Sequence, residues 1–127
     1  MKNNIPLTPI EPFSLEESQY VRGNEIWKAT TLIDYCKAKG YKPFDLPLAG
    51  IDLSTAHFTY SCTATFIFQM KRVQNSDLTY PIILDDFGQI ADGWHRICKA
   101  ILEGKTTIKA IRMEDMPAYD KWEENKD

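Results

Sequence analysis

Between Pro81 and Met113 the apolar residues change their spacing repeatedly, and each change marks a new element. Pro81-Ile82-Ile83-Leu84 is a continuous apolar run of strand length, bounded by Asp85-Asp86-Phe87-Gly88, whose Asp and Gly carry turn chemistry. Gln89-Ile90-Ala91 then reads as the returning strand of a hairpin. From Trp94 to Glu103 the period becomes helical, with Trp94, Ile97, Cys98, Ile101 and Leu102 on one stripe and Gly104 placed to end the helix. Thr106 to Met113 alternates polar and apolar residues after its first positions, the pattern of a half-buried strand. Strand, hairpin, helix and strand joined this closely predict an α+β fold, a small mixed sheet with helices packed on it.

The rest of the chain fits around that block. The spacing of Ile26, Leu32, Ile33 and Cys36 predicts a helix over Ile26–Lys39, stopped by Gly40. Pro43 to Leu48 reads as an edge strand, because its prolines exclude a central ladder position. Ile51 to Ser54 reads as the entry to a loop. Cys62 to Val73 predicts a second helix with Phe66, Met70 and Val73 on one side, although its β-branched and aromatic content also suits a strand. Gln74 to Thr79 is turn-like, and Pro117 to Glu124 is expected to form a last short helix. Residues 1–18 carry Pro6, Pro9 and Pro12 and read as an extended arm with Phe13 and Leu15 as anchors. A chain of 127 residues is one domain's worth and buries roughly two thirds of its unfolded surface.

Charge and cysteine usage narrow the function classes. The net charge is −3, but residues 114–127 hold six acids and two lysines, leaving the rest near neutral at +1. That segment is expected to be a solvated acidic tail. A near-neutral body argues against a nucleic-acid partner. No apolar run approaches the ~20 residues of a membrane span, and the amino terminus lacks the apolar core of a secretory signal, so a cytoplasmic protein is expected. Cys36, Cys62 and Cys98 are too dispersed for a zinc knuckle or a disulfide framework, and no metal site is expected. Cys36 and Cys98 fall on apolar helical faces and should be buried and unpaired.

The chemistry gathers at Asp92-Gly93-Trp94-His95-Arg96, between a strand and a helix. The first N–H groups of a helix have no intrahelical partner, and its dipole favours anions there. Gly93 lets the backbone be approached closely, Arg96 offers a fork of donors, His95 adds another, and Asp92 is placed to cap. A phosphate fits such a turn. A purely structural account fits as well: Asp92 caps, Arg96 pairs with it or with a tail acid, and His95 stacks on an aromatic ring.

The stretch from Pro81 through Asp92-Gly93-Trp94-His95-Arg96, followed by the helix ending at Gly104 and the strand to Met113, resembles the ParB/sulfiredoxin superfamily. The resemblance implies that Gly93, His95 and Arg96 hold the phosphates of a nucleotide such as ATP or CTP, with or without Mg²⁺. It also places phosphate-binding residues on the preceding helix, where Lys71 and Arg72 stand; a solvated helix face is the alternative for both. Trp94 occupies the position of sulfiredoxin's nucleophilic cysteine, so sulfinic-acid reduction is not expected. Partitioning proteins of the ParB type continue into a helix-turn-helix and a dimerisation region, and this chain, ending at Asp127, is not expected to be a complete one. Relatives that phosphorylate free serine add a catalytic carboxylate from an earlier element, for which Asp45 and Asp52 are the candidates.

The other chemistry-bearing residues have bland explanations: His57 as a loop or core histidine, Trp27, Trp94 and Trp122 as packing residues, Asp85 and Asp86 as turn formers. The expected function is a nucleotide- or phosphate-binding domain, a phosphotransferase or nucleotide hydrolase. The alternative is a non-enzymatic module with a vestigial site that engages a protein partner through the tail or the arm. A ParB-like nuclease comes third, because no carboxylate cluster is evident.

Overall fold

The apolar run Ile82–Leu84 forms β4, and all three residues are buried. A strand without a polar position must be covered on both faces, and that requirement organises the molecule. The computed structural model describes residues 18–55, 57–58 and 60–124. The expected arm, with Phe13 and Leu15, lies outside the described residues except for Ser18.

β4 lies inside a four-stranded sheet of order β3-β6-β4-β5, formed by β3 (Phe44–Pro47), β6 (Thr107–Arg112), β4 (Ile82–Leu84) and β5 (Ile90–Asp92). It runs parallel to β6, with Ile82 opposite Ala110, while β3–β6 and β4–β5 are antiparallel. Pro47 sits on the edge strand, where a missing N–H costs little. Side chains alternate between the faces. Ile82, Leu84, Ile108 and Ala110 pack with Ile97 and Ala100 of α3 (Trp94–Leu102). Ile83, Ile111 and Met113 pack with Trp27 and with Leu32 and Cys36 of α1 (Ala29–Lys39). The sheet is thus enclosed between helices, and the expected α+β class holds.

Two helical faces differ from expectation. On α3 the buried row is Ile97 and Ala100, whereas Ile101 is 38% exposed and Leu102 76% exposed. Ala100 adds little to an apolar stripe, yet its small side chain lets the helix approach the sheet closely. On α2 (Thr63–Asn75) Phe68, Gln69 and Val73 are buried and Phe66 is exposed, because α2 packs on α3 rather than on the sheet.

A second sheet, absent from the sequence reading, joins the two ends of the described chain. β1 (Gln19–Arg22) and β2 (Glu25–Lys28) form a hairpin around Gly23, and β7 (Lys121–Trp122) pairs with β2. The helix expected from Ile26 therefore begins only at Ala29. Ile26 and Trp27 are both buried, and their strand pairing with Val21 and Tyr20 prevails over helical spacing. The helix expected over Pro117–Glu124 is not formed, because Asp120 and Glu123 donate their N–H groups to Ile26 and Asn24 instead.

Over the described residues the acids of the carboxy-terminal segment are exposed, yet hydrogen bonds tie the segment to the body. The Asp120 carboxylate accepts from the Lys28 N–H at 2.8 Å and the Thr31 hydroxyl at 3.0 Å, and Asp115 accepts from Tyr35 at 2.5 Å. Trp27 donates its indole N–H to the Pro117 carbonyl at 2.8 Å, and Trp122 is exposed rather than packed. Cys36 is buried, Cys98 only half-buried and Cys62 exposed, all unpaired. Among the described residues no helix is long and apolar enough to cross a membrane.

Candidate functional site

The turn from β5 into α3 depends on Gly93. Its φ is +118°, a conformation L side chains rarely adopt, and a Cβ there would lie 2.7 Å from Ile82 Cβ in the core. The Gly93 carbonyl accepts the Ile97 N–H at 3.0 Å, which closes the first turn of α3. No side chain caps the helix, contrary to the role expected of Asp92. The Asp92 carboxylate instead accepts from Arg96 Nη2 at 2.9 Å, one helical turn on, with both side chains mostly buried. Arg96 Nε is buried and has no hydrogen-bond partner among the described residues.

His95 points between α3 and α2. Its Nε2 lies 2.8 Å from Gln69 Oε1, a contact satisfied by the tautomer with hydrogen on Nε2. Its ring stacks on Phe58, with centroids 4.3 Å apart. Burial first, and then the positive charges of Arg72 and Arg96, push its pKa down to about 4. His95 is therefore a neutral donor at physiological pH rather than a third cation. The pairing of Arg96 and the stacking of His95 are what the structural account of this turn anticipated.

The residues nevertheless gather around open space. A cleft of about 690 Å³ is lined by the Asp92–Arg96 turn, by Lys71, Arg72 and Asn75 of α2, and by Asp77 beyond it. The structure thus brings Asp92, Gly93, His95 and Arg96 of the turn and both Lys71 and Arg72, the two cations weighed on the preceding helix, to the lining of one cleft. Lys71 is exposed, with no hydrogen bond or ion pair among the described residues. A second cleft, of about 870 Å³, adjoins the first and shares Gln19, His57, Ala91 and Trp94 with it.

The sequence matches no family model, and neither a curated protein nor a solved structure is detectably similar to it. The two carboxylates weighed as catalytic part company. Asp45 sits on the edge strand β3, paired with Lys109 at 2.7 Å in solvent, and lines neither cleft. Its place on the face of an edge strand takes it away from the α3 turn. Asp52 lines the second cleft, where its carboxylate accepts the Ser54 N–H at 2.9 Å.

Phe58, Gln69 and Asp77 went unnoticed in the sequence. Phe58 and Asp77 lie in loops with no periodicity, and Gln69 reads as one more polar residue on a helix. Among the described residues no group of three His, Cys, Asp or Glu is gathered as for a metal ion.

Proposed function

We propose that the cleft at the start of α3 binds the phosphates of a nucleotide or a related phosphate-bearing ligand, in a domain of ParB/sulfiredoxin-like architecture. The observation that carries this reading is the convergence of Lys71 and Arg72 from α2 with His95 and Arg96 from α3 on one cleft. The two arginines are close enough to depress His95. Of the carboxylates lining the cleft, Asp92 is engaged by Arg96, and Asp77 accepts from the Thr79 N–H and hydroxyl. An anion would relieve the crowding of positive charge and meet charge-assisted donors. Three free thiols suit a reducing, cytoplasmic setting.

Because no three metal-donor side chains are gathered among the described residues, Mg²⁺ would come as the counter-ion of the phosphates, ligated largely by them and by water. A phosphotransferase or hydrolase would need a carboxylate near the transferred group; of the two candidates only Asp52 lies near the site, and it stands beyond Trp94 on the neighbouring cleft, away from the cationic residues, so binding is the reading the geometry favours. A second reading, a protein-interaction module, is favoured by the exposed Tyr119 and Trp122 beside the small sheet, whose rings lie 5.7 Å apart.

The test is a thermal-shift and calorimetric titration with ATP, CTP and inorganic phosphate, with and without Mg²⁺. Ligand at 100-fold its dissociation constant stabilises a protein by about 2.7 kcal/mol. Lys71→Glu, on the exposed side of α2, should leave the melting temperature unchanged and weaken phosphate binding more than about tenfold, since a charge-assisted contact is typically worth about 1.5–3 kcal/mol. Arg96→Ala is a poorer probe, because its side chain is only 16% exposed and its loss strands Asp92. Absence of a shift with every phosphate-bearing ligand would leave the interaction module as the better reading.

A further inference from the structure

Trp94, the first residue of α3, lines both clefts, and so does His57. The two rings lie flat on one another, with centroids 3.5 Å apart and planes 9° apart. Protein aromatic pairs more often meet offset or edge to face, about 4.5–7 Å between centroids. The spacing and tilt here are those of stacked heterocycles. His57 belongs to an exposed loop, and its other polar contact is with Thr55, Oγ1 to Nε2 at 3.0 Å. The indole face is thus covered by a small heterocycle held from the solvent side.

The clefts on either side differ in chemistry. The first presents Lys71, Arg72 and Arg96. The second is walled by Leu46, Ile51, Leu84 and Ile90, with Gln89 and Asp52 as polar groups. A ligand that fills both must be anionic at one end and planar and largely apolar at the other, with an edge that hydrogen-bonds. Together they have room for a mononucleotide, since single ligand pockets typically run to about 300–1,000 Å³.

We infer that Trp94 is a stacking platform for the base of a nucleoside phosphate, which takes the place of His57 while its phosphates occupy the cationic cleft. This rests on the phosphate-binding reading and narrows it, because a bare polyphosphate or a sugar phosphate would leave the indole covered by His57. Stacking of a base on an aromatic side chain commonly changes affinity by on the order of tenfold or more. Displacing His57 offsets part of that gain, so removing the imidazole should return it.

The experiment compares ATP and CTP with inorganic tripolyphosphate by calorimetry, on the wild-type protein and on His57→Ala, an exposed loop substitution that leaves the core untouched. The expected result is that at least one nucleoside triphosphate binds more tightly than tripolyphosphate, and that His57→Ala widens the ratio severalfold while tripolyphosphate affinity stays the same. Equal binding of nucleotides and tripolyphosphate, or a ratio unmoved by His57→Ala, would overturn the platform and leave the phosphate site standing. Failure of every one of these ligands to bind would remove both.

Discussion

The Tyr20 hydroxyl donates to Asp85 Oδ2 at 2.6 Å, joining the small sheet to the hairpin of the large one. Asp85 is fully buried, and its other oxygen accepts the N–H groups of Phe87 at 2.9 Å and Gln89 at 2.8 Å. Arg22 reaches the same carboxylate at 3.3 Å and Asp86 at 2.6 Å. Burial acts to raise the Asp85 pKa, but the Tyr20 hydroxyl, the two N–H groups and Arg22 outweigh it and hold the carboxyl below its ordinary range. Asp85 is therefore an ionised hub inside the fold.

Removing that hub should be costly. Asp85→Ala leaves two turn N–H groups and the Tyr20 hydroxyl without their acceptor, and a loss of about 3 kcal/mol is expected, against about 1 kcal/mol for Tyr20→Phe. Urea denaturation of both variants measures this. If Asp85→Ala had the wild-type midpoint, the carboxylate would carry no such role.

Gly93→Ala should be among the most damaging single-methyl additions in the chain. The new Cβ meets Ile82 in the core, at a φ of +118°. Strain of this kind typically costs about 1–3 kcal/mol before the overlap is counted. Thermal melting should show a drop of several degrees. Gly104→Ala is the comparison: its φ is also positive, at +75°, but the added methyl meets open space.

Stability should fall as the pH is lowered from 6.5 to about 4. His95 is neutral in the folded protein down to about 4, whereas in the unfolded chain it takes up a proton below the ordinary histidine value of 6.5. In that window the unfolded state binds more protons, so acid favours unfolding. His95→Gln keeps a hydrogen-bonding group beside Gln69 and should flatten the dependence between pH 6.5 and about 4.5, above the range where Asp85 contributes. A wild-type slope retained in His95→Gln would assign the effect elsewhere.

Residues on the apolar stripe of α3 should differ sharply in worth. Ile97 is fully buried, and truncation of such a core residue to alanine typically costs about 2–5 kcal/mol. Leu102 is 76% exposed, and Leu102→Ala should stay within about 0.5 kcal/mol of wild type. Equal losses on chemical denaturation would mean that the helix is rotated about its axis from the orientation described.

The thiols should react in a fixed order. Cys62 precedes α2 in an exposed position, and hydrogen bonds from the Thr65 N–H and hydroxyl lower its pKa. Burial raises Cys98 and pushes Cys36 up to about 11. Because the thiolate is the nucleophile, a disulfide reagent should modify Cys62 first and Cys36 last. Mass spectrometry of partially labelled native protein reads the order directly.

Most of the large sheet was legible in the sequence because its signals are local. The apolar run at Ile82–Leu84, the Asp-rich turn after it, the helical spacing from Trp94 and the alternation toward Met113 each state their element within a few residues. The small sheet was not legible. Glu25–Lys28 has no alternating pattern; it pairs along its length with Gln19–Arg22, and on its other edge with Lys121 and Trp122, remote in sequence. The site was legible in part. Asp92–Arg96 stands out as a motif, and Lys71 and Arg72 as cations on a helix of the right order. That α3 would begin without a side-chain cap, and that His57 would cover Trp94, depends on how loops and helices meet.

The pairing of β7 with β2 has a kinetic meaning. The first two strands described wait for almost the last residues described before their sheet is whole, and closing so long a loop is slow relative to local structure. The large sheet can form first around the β4–β6 region, with the β1–β2 hairpin added afterwards. Gln19 lines both clefts and Tyr20 lines the second, so these clefts would be the last part of the described structure to mature and the first to open when the two edges of the small sheet separate. A bound ligand would then act as a clasp, slowing hydrogen exchange at Ile26 and Trp27 more than at Ile82 and Ile83.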